Sequence, residues 1–183
     1  MSLSRKPHGH MIVRSVSDAI FATIGKQVSQ QPIELVVHRP EPWARPTDCF
    51  RNVARKIAEC GGSAQSGYTF HHRFAQNIEG LPLYIYLTHH AVWVSPEGER
   101  VDVTPYPERR HAPLDRNGKI KFLPDDAADP IMVQGQPAPL PLRFFAVDDN
   151  KELKDYVAEL NRKEQEACRE LHSQGSAQNA SET

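Results

Sequence analysis

Residues 83–105 read LYIYLTHHAVWVSPEGERVDVTP, and this stretch decides the fold. Its first half, Leu83 to Val94, is rich in Tyr, Ile, Val and Trp, the residues that pack well on a pleated surface, so it reads as one long strand. Ser95-Pro96-Glu97-Gly98-Glu99 is a turn, with Pro at its second position and Gly supplying a positive φ. Arg100 to Thr104 returns as the partner strand. Turn length then fixes which side chains meet. A three-residue loop, Pro96-Glu97-Gly98, sets Ser95 opposite Glu99 and Val92 opposite Asp102. His90 becomes the diagonal neighbour of Asp102 on the same face, within reach of an imidazole–carboxylate contact. A two-residue loop would instead bring Trp93 opposite Asp102 and put His89 on its face. A type I turn followed by a left-handed Gly is a common three-residue hairpin, and Pro-Glu-Gly suits it. His90 is therefore the histidine expected beside Asp102.

Upstream, the periodicity is helical. Thr47 or Asp48 can cap a helix in which Phe50, Val53, Ala54 and Ile57 recur at i, i+3, i+4 and i+7, the spacing of one buried stripe. Gly61-Gly62 ends it. Cys49 falls in its first turn. Farther back, Ile33 to Val37 is a short apolar strand, and Ser17 to Gln30 reads as a helix burying Ile20, Phe21, Ile24 and Val28. Pro40, Pro42 and Pro46 hold the chain extended before the cysteine. Between the cysteine helix and the long strand, Tyr68 to Arg73 has strand character.

Downstream, Pro105 to Pro141 is proline-rich. It holds a turn at Asp115–Lys119 and a short strand at Ile120–Leu123. Leu142 to Val147 is a last strand, and Asp149 to His172 a polar helix burying Leu153, Tyr156, Val157 and Leu160. The expected organisation is a single domain over residues 1–172. Ser173 to Thr183 is polar and small, and reads as a disordered tail.

Three segments together carry chemistry: Thr47-Asp48-Cys49-Phe50-Arg51-Asn52, Thr88-His89-His90-Ala91-Val92-Trp93 and Val101-Asp102-Val103-Thr104-Pro105. A thiolate is the reactive form of cysteine, and a helix N-terminus stabilises it through its dipole and free amides. The same amides can hold an oxyanion, so one turn can supply nucleophile and electrophilic pocket. His90 is the candidate base. Asp102 would fix its tautomer and stabilise the imidazolium.

The order of helix-borne Cys, strand His and next-strand Asp resembles the papain-like superfamily, in particular its transglutaminase-like branch. There the histidine strand commonly reads His-Ala-Trp and the next strand ends in Asp-Pro-Thr or Asp-x-Thr-Pro. His90-Ala91-Val92-Trp93 and Val101-Asp102-Val103-Thr104-Pro105 look similar, and the likeness covers residues 43 to 106. The resemblance implies an α+β fold, with the cysteine-bearing helix packed on an antiparallel sheet, and acyl transfer or hydrolysis at an amide, isopeptide or ester bond through a thioester. The superfamily also includes inactive members, so a binding module for a peptide or partner protein is the alternative. A side-chain oxyanion donor is expected beside the amide of Cys49. Trp43, Asn52 and Gln65 are the candidates, with packing the favoured role for Trp43.

Other classes are disfavoured. The 183 residues carry a formal net charge of −1, with no basic block interleaved with aromatics, against a nucleic-acid partner. No apolar run approaches the roughly 20 residues of a membrane span. Met1 to His10 is polar and lacks the apolar core of a secretion signal. Three cysteines without a Cys-x-x-Cys pair fit free thiols in a reducing compartment, the cytoplasm. Cys60 reads as structural and Cys168 as exposed. His71-His72 and His89-His90 raise a metal site completed by Asp102 or Glu79. Adjacent strand histidines face opposite ways, however, so each pair offers one ligand per site, and neither metal nor cofactor is expected. Arg109-Arg110-His111 reads as a solvated loop. The expected partner is a peptide, protein or small amide or ester substrate.

Overall fold

The computed structural model describes residues 16–80, 82–107, 113–133 and 135–179; the Arg109-Arg110-His111 cluster and the polar N-terminal stretch lie outside them. The described chain is mixed α+β. Its helices are α1 (Asp18–Gly25), α2 (Cys49–Cys60) and α3 (Lys151–Asn179). Its strands are β1 (Glu34–His38), β2 (Ser63–Phe74), β3 (Leu83–Val94), β4 (Arg100–Asp102), β5 (Lys119–Pro124), β6 (Ile131–Val133), β7 (Gln136–Ala138) and β8 (Arg143–Ala146).

The hairpin forms with the three-residue loop. Trp93 pairs with Val101 and Val94 with Arg100, the Ser95 N–H donates to the Glu99 carbonyl at 2.8 Å, and Gly98 takes φ +88°. On its other side β3 pairs with β2 over the whole length of both, from Ser63–Val94 to Phe74–Leu83. β1 runs parallel to β4, setting His38 opposite Asp102, and antiparallel to β5. β5 then returns to β2, with Gly67 opposite Pro124. The strands thus close in the order β2-β5-β1-β4-β3 as a mostly antiparallel five-stranded barrel, with β8 added to β3 and β6–β7 as a separate hairpin. Gly67 permits this closure, because a Cβ there would stand 2.2 Å from the Leu123 carbonyl oxygen.

Among the described residues, the β3 edge that meets β4 at Trp93–Val94 meets β8 only at Tyr84–Leu87. His90 lies in the interval between. Around it the faces of β3 alternate. Ala91 and Trp93 pack with Val101 and Val103 against Cys49, Val53 and Ile57 of α2. Val92 turns the other way, to the barrel interior of Val36, Ile120 and Phe122. α1 covers another part of the wall with Phe21 and Ile24 on Tyr68, Phe70, Ile85 and Leu87. α3 buries Leu153 and Val157 on Tyr84.

Several boundaries differ from the sequence reading. α1 ends at Gly25 rather than Gln30, and the chain leaves it through turns in which Gln27, Val28 and Ser29 donate to the carbonyls of Ile24 and Gly25. β2 starts at Ser63, five small or polar residues before Tyr68, because the ladder to β3 holds them extended. α3 continues past His172, so the stretch read as a disordered tail from Ser173 is helical as far as Asn179. Cys60, read as structural, is exposed, and Cys168 is half-buried. No helix among the described residues is long and apolar enough to cross a membrane.

Candidate active site

Cys49 is the first residue of α2, and Asp48 before it makes no side-chain cap bond. The Asp48 carboxylate lies instead 3.7 Å from Arg51. The amides of the first turn therefore carry no internal cap, and with the helix dipole they favour negative charge at the thiol. The chain enters through Thr47 at φ +63°, a left-handed conformation that is costly for a β-branched residue. This tight entry folds Arg45 back against Asn52, whose Oδ1 accepts the Arg45 N–H at 3.0 Å and whose Nδ2 donates to the Arg45 carbonyl at 2.8 Å.

His90 and Asp102 meet as the three-residue loop requires, with Nε2 donating to Oδ1 at 2.9 Å. Asp102 is fully buried. Its Oδ1 also accepts the Thr104 N–H at 3.1 Å, and its Oδ2 accepts the Tyr106 hydroxyl at 3.1 Å. Three donors thus meet its two oxygens, the partners a carboxyl group needs when it is taken out of water. With Nε2 committed to Asp102, Nδ1 is the nitrogen left to face Cys49, which lies near enough to act on the imidazole electrostatically. Burial alone would lower the pKa of His90. The electrostatic pull of Asp102, and after it that of Cys49, outweighs burial together with the hydrogen bond that His90 donates to Asp102, and raises it to about 10. The imidazole is thus held in its charged form across neutral pH beside the thiol. The chain brings Cys49, His90 and Asp102 to one place.

His89 takes a different part. Its Nε2 donates to the Ala128 carbonyl at 2.6 Å, and its Nδ1 accepts the Leu140 N–H at 2.8 Å. Both nitrogens are used by backbone, which fixes a neutral tautomer, and burial lowers its pKa. It tethers the irregular chain before β8 to the barrel. Replacing it with Ala leaves a buried carbonyl and a part-buried N–H without their partner. His89→Ala is expected to lower stability by about 3 kcal/mol in urea unfolding, while the pH dependence of Cys49 alkylation stays that of the wild type.

No protein-family model, no curated protein and no solved structure matches the chain significantly.

Two of the three expected oxyanion side chains, Gln65 and Asn52, are engaged elsewhere. The third, Trp43, has the Arg55 guanidinium over its ring at 4.2 Å. The Gln65 amide donates to Asp126 and to the Ser66 carbonyl. Asn52 is committed to Arg45 and to Thr104 Oγ1, 3.2 Å away. The uncapped first-turn amides of α2 remain. The histidine pairs do not converge, since His71 pairs with Tyr86 whereas His89 pairs with Tyr68. Among the described residues no group of three or more His, Cys, Asp or Glu is placed to hold a metal ion.

Two residues of the site were not anticipated. Tyr106 reaches Asp102 from beyond the end of β4 and stacks near His90, ring centroids 6.4 Å apart. Burial, and then the charge of Asp102, push its phenol well above the usual range, so it stays a donor. His38 Nε2 donates to the Thr104 carbonyl at 3.0 Å and stands 4.0 Å from Asp102 Oδ2. Tyr106 follows the Asp-x-Thr-Pro run by one residue, a proximity the sequence displays. His38 reaches the site only through the parallel β1–β4 pairing.

Proposed function

We propose that this chain is a thiol-dependent hydrolase or acyltransferase of papain-like, transglutaminase-like type, acting on an amide, isopeptide or ester bond through a thioester on Cys49. One observation carries the reading: a helix-borne thiol near an imidazole whose Nε2 lies 2.9 Å from a fully buried carboxylate. Three residue types with three separate requirements occupy one site, and each requirement is met by its surroundings.

In this reading the Cys49 thiolate attacks the carbonyl carbon. The tetrahedral oxyanion takes hydrogen bonds from the first-turn amides of α2. As the intermediate collapses, His90 gives its Nδ1 proton to the leaving amine or alcohol, and a thioester remains. Water or an amine then attacks, His90 takes its proton, and the thiolate is released. Asp102 keeps the Nε2 proton in place and stabilises the imidazolium throughout.

The near-complete burial of Cys49, at 7 % exposure, favours a second reading, a closed and inactive site on a module that binds a peptide or protein. Mixing with p-nitrophenyl acetate separates the two. A thiol acyltransferase gives a burst of p-nitrophenol stoichiometric with protein and an acetyl adduct on Cys49, both lost in Cys49→Ala. Absence of burst and adduct in the wild type would sink the enzyme reading.

A further inference from the structure

We infer that Asn52 is a positioning residue for the thiol–imidazole pair, locking the cysteine helix to the strand end that carries Asp102 by way of Thr104. The inference rests on the proposed thiol chemistry and adds a residue to it. Asn52 sits one turn after Cys49 in α2, inside a helix, where asparagine is a poor choice because its side chain competes for backbone hydrogen bonds. It is buried, and both hydrogens of its amide are used, one on the Arg45 carbonyl and one on Thr104 Oγ1.

Thr104 is the other half of the lock. Its N–H donates to Asp102 Oδ1, the oxygen that also holds His90. Its carbonyl accepts the proton on His38 Nε2. Its hydroxyl oxygen accepts the Asn52 amide at 3.2 Å. Every polar group of this buried residue is engaged, and only the hydroxyl contact crosses to α2. The helix that carries the nucleophile and the strand end that carries the carboxylate are thereby joined by one side chain–side chain hydrogen bond beside the reacting pair. The hydrophobic packing of Val53 against Ala91 and Val101 holds the helix on the sheet, but apolar contacts are non-directional and leave the helix free to slide. A directional bond sets its position along its axis, which is what a contact between Cys49 and His90 requires.

The test compares Thr104→Val, which keeps shape and backbone bonds but removes the hydroxyl, with Thr104→Ser, which keeps the hydroxyl. The readouts are iodoacetamide labelling of Cys49 between pH 5 and 8 and the thermal midpoint. Thr104→Ser is expected to reproduce the shallow labelling profile of the wild type. Thr104→Val is expected to stay folded yet label about tenfold more slowly at pH 6, with the steep profile of an ordinary thiol. Asn52→Ala should match it, and the double variant should be no slower than either single variant. A shallow profile in Thr104→Val overturns the inference, whatever Asn52→Ala does to folding. A steep profile in the wild type removes the thiol–imidazole pair itself, and the inference falls with it. A shallow wild type with an unchanged Thr104→Val refutes the lock alone.

Discussion

Replacing His90 with Ala is expected to turn a shallow pH profile of Cys49 alkylation into a steep one. An ordinary thiol, with a pKa of about 8.5, is only about 0.3 % thiolate at pH 6, and its labelling slows roughly tenfold with each further pH unit. A thiolate paired with imidazolium remains ionised over that range. The gain in rate is smaller than the gain in thiolate, because nucleophilicity falls with thiol pKa at a Brønsted slope of about 0.4–0.5. A net advantage of about tenfold at pH 6, growing as pH drops, is therefore expected for the wild type. The slope is the more diagnostic quantity, since a rate at one pH mixes ionisation with access. Cys60 and Cys168 provide internal references, one exposed and one half-buried. In His90→Ala the Cys49 slope should match theirs. A profile that stays shallow in the variant would assign activation to the helix terminus alone and remove His90 from the mechanism.

The hairpin and the cysteine helix were legible because their determinants are local. Turn chemistry at Pro96-Glu97-Gly98 sets the register, and the register alone decides between His89 and His90. The helical stripe from Phe50 to Ile57 and the glycines after Cys60 mark both ends of α2. Barrel closure was not legible, because it depends on pairings remote in sequence. β1 with β4 and β5 with β2 join segments about 60 residues apart, for which no short-range pattern exists. Gly67 held the one hint, a residue without a side chain inside a strand, where another backbone comes close. The same non-locality hid part of the site. His38 lies 64 residues before Asp102 and becomes its neighbour only in the parallel pair. As an oxyanion donor, the role its place in the sequence suggests, Asn52 would need a free amide. Its commitment to Arg45 depends on the left-handed Thr47, a conformation that residue type argues against.

Asp102→Asn is expected to destabilise the chain, and its pH dependence has a definite sign. In the folded chain His90 binds its proton up to about 10, against 6.5 for a free imidazole. A group whose folded pKa is raised contributes stability that is fully present below its unfolded pKa and is lost as pH rises through its folded pKa. The wild type should therefore lose stability progressively between about pH 6.5 and pH 10. Burial opposes the charge on His90, and the favourable balance depends on the carboxylate and the thiolate together. An amide at position 102 keeps the volume but removes the charge. Breaking a buried pair in this way costs about 3 kcal/mol, the low end of the usual range, because the imidazole can release its proton rather than remain an unpaired buried cation. For a chain of this size that is a fall of roughly 10 °C in the melting midpoint at neutral pH. The variant should also show a flatter pH dependence, its deficit shrinking toward pH 10 where the wild type has lost the same contribution. Thermal denaturation of both proteins from pH 6 to pH 10 measures this directly. A deficit that stays constant over that range would mean that His90 is neutral in the folded chain. Asp102 would then act as a hydrogen-bond acceptor without sustaining the imidazolium that an activated Cys49 requires.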